Sequence, residues 1–464
     1  MDGKQVCKGK NGQFFNVLDF GAVGDGKAVD TGSIRAAVQA CVESGGGTVY
    51  FPAGSYLTGP IELKSNITLF IDNGAKLVFS GAIEDYPVVD TYWEGKGCKA
   101  YMPQIFAESA ENISIIGRGV LEGQGEPWWK MAWERKVTIP RPRMIGLQRC
   151  KNVLIEGITL QNSPSWTINP VFCENVTIHN VIIKNPANSP NTDGIDPDAS
   201  KNVHISNCHI DVGDDCIAIK SGIEDAEYKE SCENITITNC TMVHGHGGVV
   251  IGSEMSGNVR NVVISNCVFQ GTDRGIRIKT RRGRGGVVED VRVTNIVMEE
   301  VFCPFVINMY YFTGSTKKDP YIWEETPYPV TEGTPVIRNV HFSNITAKEV
   351  SASACYINGL AEMPVKNVTF NNIQVSLAQN AEPQEPAMAY NMQPMSKRGF
   401  ICKNVHSIKF KDVELYGHEG PAYSIENVKG IEFFSCDLRS RDKDNPGLVQ
   451  NNVEEINIFG CRID

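Results

Sequence analysis

Short apolar stretches recur along most of this chain, alternating with polar residues and opening each time on a polar residue followed by Asn. Four run in succession: Glu174–Asn185 (ENVTIHNVIIKN), Lys201–Val212 (KNVHISNCHIDV), Glu233–His244 (ENITITNCTMVH) and Arg260–Gly271 (RNVVISNCVFQG). Period-two alternation of β-branched residues predicts half-buried strands. Asn, Gly, Asp and Ser between the runs predict turns. The same pattern opens near residues 111, 151, 174, 201, 233, 260, 289, 338, 366, 406, 429 and 454, at intervals of 23 to 49 residues. About 23 residues hold three short strands with tight bends, so the spacing predicts an all-β solenoid, a parallel β-helix in which each coil touches its neighbours. Asn at one repeat position predicts a side-chain ladder that serves backbone groups of the turns.

Ahead of the repeats, Asp30-Thr31 precedes an apolar-periodic run from Ile34 to Val42, and Gly45-Gly46-Gly47 ends it. This predicts a short helix with Asp30 or Thr31 as N-cap, covering the open end that a repeat array would otherwise expose. Residues 16–60 are read as the cap region and residues 61–464 as coils of the same single domain. Insertions near 81–105, 124–145, 312–335 and 378–400 break the spacing, and loops of that length usually carry function. Their aromatic residues (Trp93, Trp128, Trp129, Trp133, Tyr310, Tyr311, Tyr321 and Trp323) are candidates for cleft walls or sugar platforms, or for plain loop packing. Gly21, Gly24 and Gly26 stand in the wrong order for a dinucleotide-binding turn.

The chain of 464 residues is 41% hydrophobic and 21% charged, in the soluble globular class. A net charge of −10 without a basic stripe argues against nucleic acid, and no apolar run approaches a membrane span. Positive charge is nevertheless concentrated in Arg274, Arg277, Lys279, Arg281, Arg282 and Arg284, enough to suit an acidic ligand. The 15 cysteines include no C-x-x-C pair. Cys208, Cys240 and Cys267 each follow Asn within a strand, which predicts stacked buried thiols rather than disulfides or metal ligands. Buried thiols, with a polar segment Met1 to Phe15 that lacks an apolar leader core, lead to the expectation of a reducing, cytoplasmic location, or of a secreted or periplasmic one where a leader has been removed.

Four reactive clusters follow successive runs: Asn191-Thr192-Asp193, Gly213-Asp214-Asp215, Gly245-His246-Gly247 and Arg277-Ile278-Lys279. Residues at similar phase on successive coils stack along one edge, so three carboxylates, one imidazole and two cations converge. Asp214 and Asp215 face one cleft only where the backbone turns, and Gly213 is read as supplying that freedom. Three carboxylates so close do not all ionise at no cost, so one keeps its proton. Glycosidic cleavage uses that division, with one carboxyl donating to the leaving oxygen and another activating water. Arg277 and Lys279, two apart on a strand, share a face and suit a sugar carboxylate. Asp-Asp in isolation reads as a solvated turn or a calcium site, and a lone His as structural, as His209 and His244 are here. Arg277 and Lys279 beside the carboxylates would repel a metal, so neither metal nor cofactor is expected.

In residues, order and spacing these clusters resemble the polygalacturonase-type glycoside hydrolases of family 28. The likeness extends over the cap segment Phe20 to Asp30 and Gly252 to Gly257 (GSEMSG). It implies a right-handed parallel β-helix that hydrolyses α-1,4-galacturonosyl bonds with inversion. By the resemblance, Asp214 is the general acid, Asp193 and Asp215 position and activate water, and His246 tunes the acid. Arg277 and Lys279 hold a substrate carboxylate, Tyr311 is the matching tyrosine, and Asn191 touches substrate. The chain departs from many members in having Gly213 rather than Gln before the Asp pair, and Gly248-Val249 after Gly-His-Gly. Gly-Asp-Asp and GSEMSG resemble a bacterial subgroup that includes exo-acting enzymes, implying release of galacturonate from chain ends. The competing expectations are a rhamnogalacturonan or xylogalacturonan hydrolase of the same family, a calcium-dependent pectate lyase, and a non-enzymatic glycan-binding β-helix.

Overall fold

Strands of successive coils pair in parallel along the chain, with register shifts only at Asp25–Val29 and Ala347–Val350 among the described pairings, in a computed structural model that describes residues 13–439 and 446–463. The ladder Ile115, Ile155, Ile178, Ile205, Ile237, Ile264 places one inward isoleucine per coil. Strands open at Glu111, Lys151, Glu174, Lys201, Cys232, Val259, Val287, Val336 and Val365, within two residues of the predicted starts, whereas the starts predicted near 406, 429 and 454 fall inside longer strands that open at Arg398, Tyr423 and Leu448. The result is a parallel β-helix: a long parallel sheet plus a four-stranded one, each residue row running along the stack. Apolar residues that alternate in sequence line the bore, as with the fully buried Val203, Ile205 and Ile210. Towards the C-terminal end the bore fills with aromatic rings, and Phe370, Phe410 and Phe433 stack at 5.2 Å per step.

The helix Thr31–Glu43 buries Ile34, Ala37, Val38 and Cys41, an i, i+3, i+4, i+7 stripe, against the first coil. Asp30 occupies the N-cap position without capping. Its carboxylate instead accepts the N–H groups of Val23 (2.7 Å) and Gly24 (3.1 Å), pinning the glycine-rich loop ahead of the helix. The Thr31 hydroxyl accepts the Gly59 N–H at 2.8 Å. Coil strands begin earlier than residue 61, since Gly47–Phe51 pairs with Ile67–Ile71 and Gly54–Thr58 with Ala75–Phe79. The polar start of the chain, residues 1–12, lies outside the described residues.

The asparagine ladder is present, with a different partner from the one expected. Asn112, Asn152, Asn175, Asn202, Asn234 and Asn261 are all left-handed, with φ between 55° and 60°. Each of the later five donates its amide to the Asn one coil before, at 3.0–3.1 Å. Asn tolerates the left-handed conformation, and coils about 4.8 Å apart bring equivalent side chains within hydrogen-bonding reach of each other rather than of the turn backbone. Every described cysteine is free, and Cys208, Cys240 and Cys267 are buried.

The insertions have structure of their own. Residues 81–105 contain an antiparallel hairpin, Val88–Trp93 with Lys96–Tyr101. Residues 124–145 contain the helix Glu126–Trp133 and residues 312–335 the short helix Pro320–Trp323. Residues 378–400 fold back through the pairing of Gln384 with Met395.

Candidate active site

Register assembles the cleft. Ile195 pairs with Ile168 on one side and Ile217 on the other. Ile217 pairs with Val249, and Val249 with Ile276. Two residues before these stand Trp166, Asp193, Asp215 and Gly247, and three before Ile217 and Val249 stand Asp214 and His246. Asp193 and Asp215 therefore occupy one position on neighbouring coils, as do Asp214 and His246. Oxygens of Asp193, Asp214 and Asp215 all lie within 4.8 Å of one another.

Gly213 serves a different purpose from the one expected. Its φ is not in the left-handed region. A Cβ there would meet the backbone oxygens of Ser189 at 2.4 Å and Pro186 at 2.6 Å, so the turn carrying the aspartates packs against the loop before Asn191. Gly245 is the residue that needs left-handed freedom, at φ 77°. A Cβ on Gly245 would lie 2.2 Å from the Asp214 carbonyl oxygen, the same oxygen that accepts the His246 N–H at 3.1 Å.

Asp215 is buried at the floor, 2.8 Å from Lys279 Nζ and 3.5 Å from Arg277 Nη1. Burial works against its charge, but Lys279, Arg277, Lys220 and His246 together hold its carboxyl well below the usual range. Asp214 is more open; its Oδ1 accepts the Asp215 N–H at 2.9 Å and lies 3.0 Å from His246 Nδ1. That hydrogen bond raises the His246 pKa above its ordinary value, against the effect of burial. Asp193 goes the other way from Asp215, because burial first, then Asp214 and Asp196, push its carboxyl well up. The Tyr311 ring closes over the cations, 5.1 Å from Lys279 Nζ and 5.6 Å from Arg277 Cζ. Asn191 stands at the exposed rim in a left-handed turn, its Oδ1 accepting from Arg141 Nη2 at 2.7 Å. All eight candidate residues thus gather in one cleft.

Several of its residues escaped sequence reasoning. Arg141 also donates to the carbonyls of Pro164 and Pro190, 2.9 Å each, and fastens the loop that carries Asn191. Asp196, Asp198, Lys220 and Glu254 form a second group of charges beside Asp193, with Lys220 Nζ 3.8 Å from Asp196 and 3.4 Å from Glu254. The run Asp193-Gly-Ile-Asp196-Pro-Asp198 was the available signal; Lys220 reads in sequence as an ordinary strand end.

The cationic cluster divides. Only Arg277 and Lys279 reach Asp215, while Arg282 pairs with Glu362, Arg281 and Arg284 pair with Glu224, and Arg274 donates to the backbone of Glu385 and Pro386. The aromatic candidates divide too. Trp93 stacks on Trp166 at 4.4 Å beside the cleft, whereas Trp128 is sealed between Tyr86 and Tyr101. Trp129 donates to the Ser163 carbonyl, Trp323 to that of Lys317, Tyr321 packs on Tyr328, Tyr310 lies under Arg282, and Trp133 is exposed.

The sequence profile of glycosyl hydrolases family 28 matches residues 41–407. This chain belongs to that family. A probable polygalacturonase of Vitis vinifera is 34% identical over 379 residues, spanning 79% of this chain and 75% of its own. An endo-polygalacturonase of Pectobacterium carotovorum subsp. carotovorum is 34% identical over 373 residues, 75% of this chain and 84% of its own. The crystal structure of an exopolygalacturonase from Thermotoga maritima superposes with a TM-score of 0.73 at 32% identity, covering 87% of this chain and 92% of its own. An exopolygalacturonase and an endo-polygalacturonase therefore both lie among the similar proteins.

Proposed function

We propose that this protein hydrolyses α-1,4-galacturonosyl bonds of polygalacturonate and oligogalacturonates, with inversion, acting from chain ends and releasing galacturonate. One observation carries the reading: a buried Arg277–Lys279 pair beside a cluster of three carboxylates whose environments differ. The cations suit a uronate carboxylate. Asp214, the most open of the three and bonded to His246, donates its proton to the glycosidic oxygen. Asp215, held ionised by Lys279 and Arg277, and Asp193 on the neighbouring coil orient the attacking water between them. Water takes the place of the leaving sugar at the anomeric carbon, its proton passes to this pair, and the leaving oxygen takes the proton of Asp214. The carboxyls lie closer than the separation of about 6.5–9.5 Å common in inverting enzymes, so the stereochemistry needs its own test, the anomer of the first product by proton NMR.

Action at chain ends is supported by the hairpin. Its Gly95 packs on the backbone of Gly222, where a Cβ would stand 2.6 Å from the Gly222 Cα. Trp93 and Trp166 stack there, one coil from Asp193. The hairpin therefore stands beside the coil next to Asp193, where it would limit how far a sugar chain extends past the carboxylates on that side.

The test is the product profile on polygalacturonate and short oligogalacturonates, with and without EDTA, followed by chromatography and absorbance near 235 nm. Saturated galacturonate from the outset, indifferent to EDTA, is the expected outcome. A ladder of saturated oligomers would overturn end-wise action, and unsaturated, EDTA-sensitive products would make the protein a lyase. Activity confined to rhamnogalacturonan or xylogalacturonan would move the substrate within the family.

A further inference from the structure

The cleft floor holds a second buried lysine. Lys220 pairs in register with Asp198 on one side. On the other, the row Ile219, Ile251, Ile278 puts Gly252, which has no side chain, between Lys220 and Lys279. The two ammonium groups are equally sealed, at 6% and 8% side-chain exposure. Lys279 meets Asp215 directly. Lys220 faces Asp196 at 3.8 Å, Glu254 at 3.4 Å and the Trp166 ring at 4.9 Å. Asp196 is fully buried, no amide or hydroxyl among the described residues reaches either of its oxygens, and its side-chain contact is with Asp193.

We propose that Lys220 is a positioning residue of the hydrolytic site, which, acting through Asp196, supplies positive charge that favours the ionised form of Asp193, from the row position that Lys279 holds beside Asp215. The inference rests on the function proposed above. Two desolvated carboxyls in contact favour retaining a proton between them. Burial pushes Asp196 up to about 8 and Asp193 well up, and Lys220 opposes both shifts. The other charges bearing on this pair, among the described residues, are Asp214 and Asp215 from the next coil, Arg141 on the Asp193 and Asp214 side, and Arg143 behind Asp196 and Asp198. Glu94, at the exposed hairpin tip, is within electrostatic reach of Lys220 and Glu254.

Glu254 competes for the same cation. It accepts from Ser253 Oγ at 3.0 Å and lies 3.8 Å from Arg284. Burial opposes its charge, yet Lys220, Arg284 and Lys279 hold it at about 2. Lys220 therefore divides its field between a permanently charged Glu254 and the Asp193–Asp196 pair, and the two removals have opposite signs. Lys220→Met deprives the pair of its cation, so the acid limb of kcat moves to higher pH. Glu254→Gln releases Lys220 to the pair, so the limb moves to lower pH.

The experiment is kcat and KM on trigalacturonate across pH for wild type, Lys220→Met, Lys220→Arg and Glu254→Gln, with thermal unfolding as a folding control. Lys220→Met is expected to move the acid limb up by about one pH unit, a tenfold loss on the limb. KM should stay within about twofold, Lys220→Arg should restore the limb, and Glu254→Gln should move it down. Limbs that stay in place, or that move in the same direction in both variants, overturn the inference. So does a raised KM on an unmoved limb, which would make Lys220 a substrate ligand. If Lys220→Met does not fold, the direction of the Glu254→Gln shift decides. If the wild type does not cleave galacturonan, the functional reading fails by itself, and the carboxyl ¹³C titration of Asp193 in the same proteins tests the same ordering without substrate.

Discussion

The two edges of each coil treat polar groups in opposite ways. On the ladder edge a neutral amide donates to the amide one coil away, from Asn152 to Asn112, Asn175 to Asn152 and Asn202 to Asn175, each at 3.0–3.1 Å. On the cleft edge, Asp193 Oδ1, both Asp196 oxygens and Arg277 Nη2 are buried with no hydrogen-bond partner among the described residues. Most buried polar atoms in native proteins are paired, and leaving one unpaired costs about 1–3 kcal/mol, more for a charge. Polar residues on the first edge hold the coils in register. Those on the second remain available to a ligand, and the stability they forgo is supplied by the apolar bore.

Breaking the cleft edge should change activity far more than stability. Asp214→Asn is expected to lower kcat by about 10²–10⁴-fold, the range for a lost general acid, while equilibrium binding of trigalacturonate by calorimetry stays measurable. Retention of more than a few per cent of wild-type turnover would remove Asp214 from that role. Lys279→Ala comes next, since it deletes a cation 2.8 Å from Asp215 and beside the Tyr311 ring. Truncating one partner of a buried charge pair costs about 2–5 kcal/mol. KM for oligogalacturonates should rise at least about tenfold, and unchanged kinetics would place the carboxylate elsewhere.

On the ladder edge the order reverses. Asn202→Ala should cost about 1–2 kcal/mol, from a left-handed φ of 56° that Ala adopts poorly and from two lost amide bonds. Asn202→Gly keeps the conformation and loses only the bonds, so it should unfold at lower denaturant than wild type but at higher denaturant than Asn202→Ala. Neither should alter kcat, and a change in kcat would show that the ladder reaches the cleft.

The smallest expected effect belongs to His246. Its pKa is raised by Asp214, so NMR titration should place it above 6.5, and Asp214→Asn should bring it down. Because the folded value exceeds the unfolded one, the pair's stabilisation is complete below pH about 6.5 and fades as pH rises through the folded value. His246 is 47% exposed, so that contribution should not exceed about 1 kcal/mol. A histidine that titrates at 6.5 in both proteins would separate it from the acid.

Much of the candidate site was legible because repeats translate sequence phase into position. Asp193, Asp214, Asp215, His246, Arg277 and Lys279 follow recognisable runs, and the coil edge collects them. Lys220 and Glu254 were not legible in the same way. One follows directly on the three-residue strand Ile217–Ile219 and the other lies in the loop after Ile251, and only the register through Gly252 shows that Lys220 shares a row with Lys279. Gly213 was picked out for the wrong reason, since the need for glycine there comes from Ser189 and Pro186 on a neighbouring loop.

By itself, the sequence determined the coil, its core-facing residues, the capping helix and the identity of the principal reactive side chains. Those follow from period-two alternation and turn chemistry, which are local and repeated a dozen times along the chain. Tertiary structure alone decided which cations in residues 274–284 serve the cleft and which bind Glu224 or Glu362, where the hairpin seats, and which carboxylate receives a counter-charge. Each of those depends on insertions of irregular length meeting across coils. Electrostatic effects on a buried group depend on distances of a few ångströms, which sequence spacing does not encode.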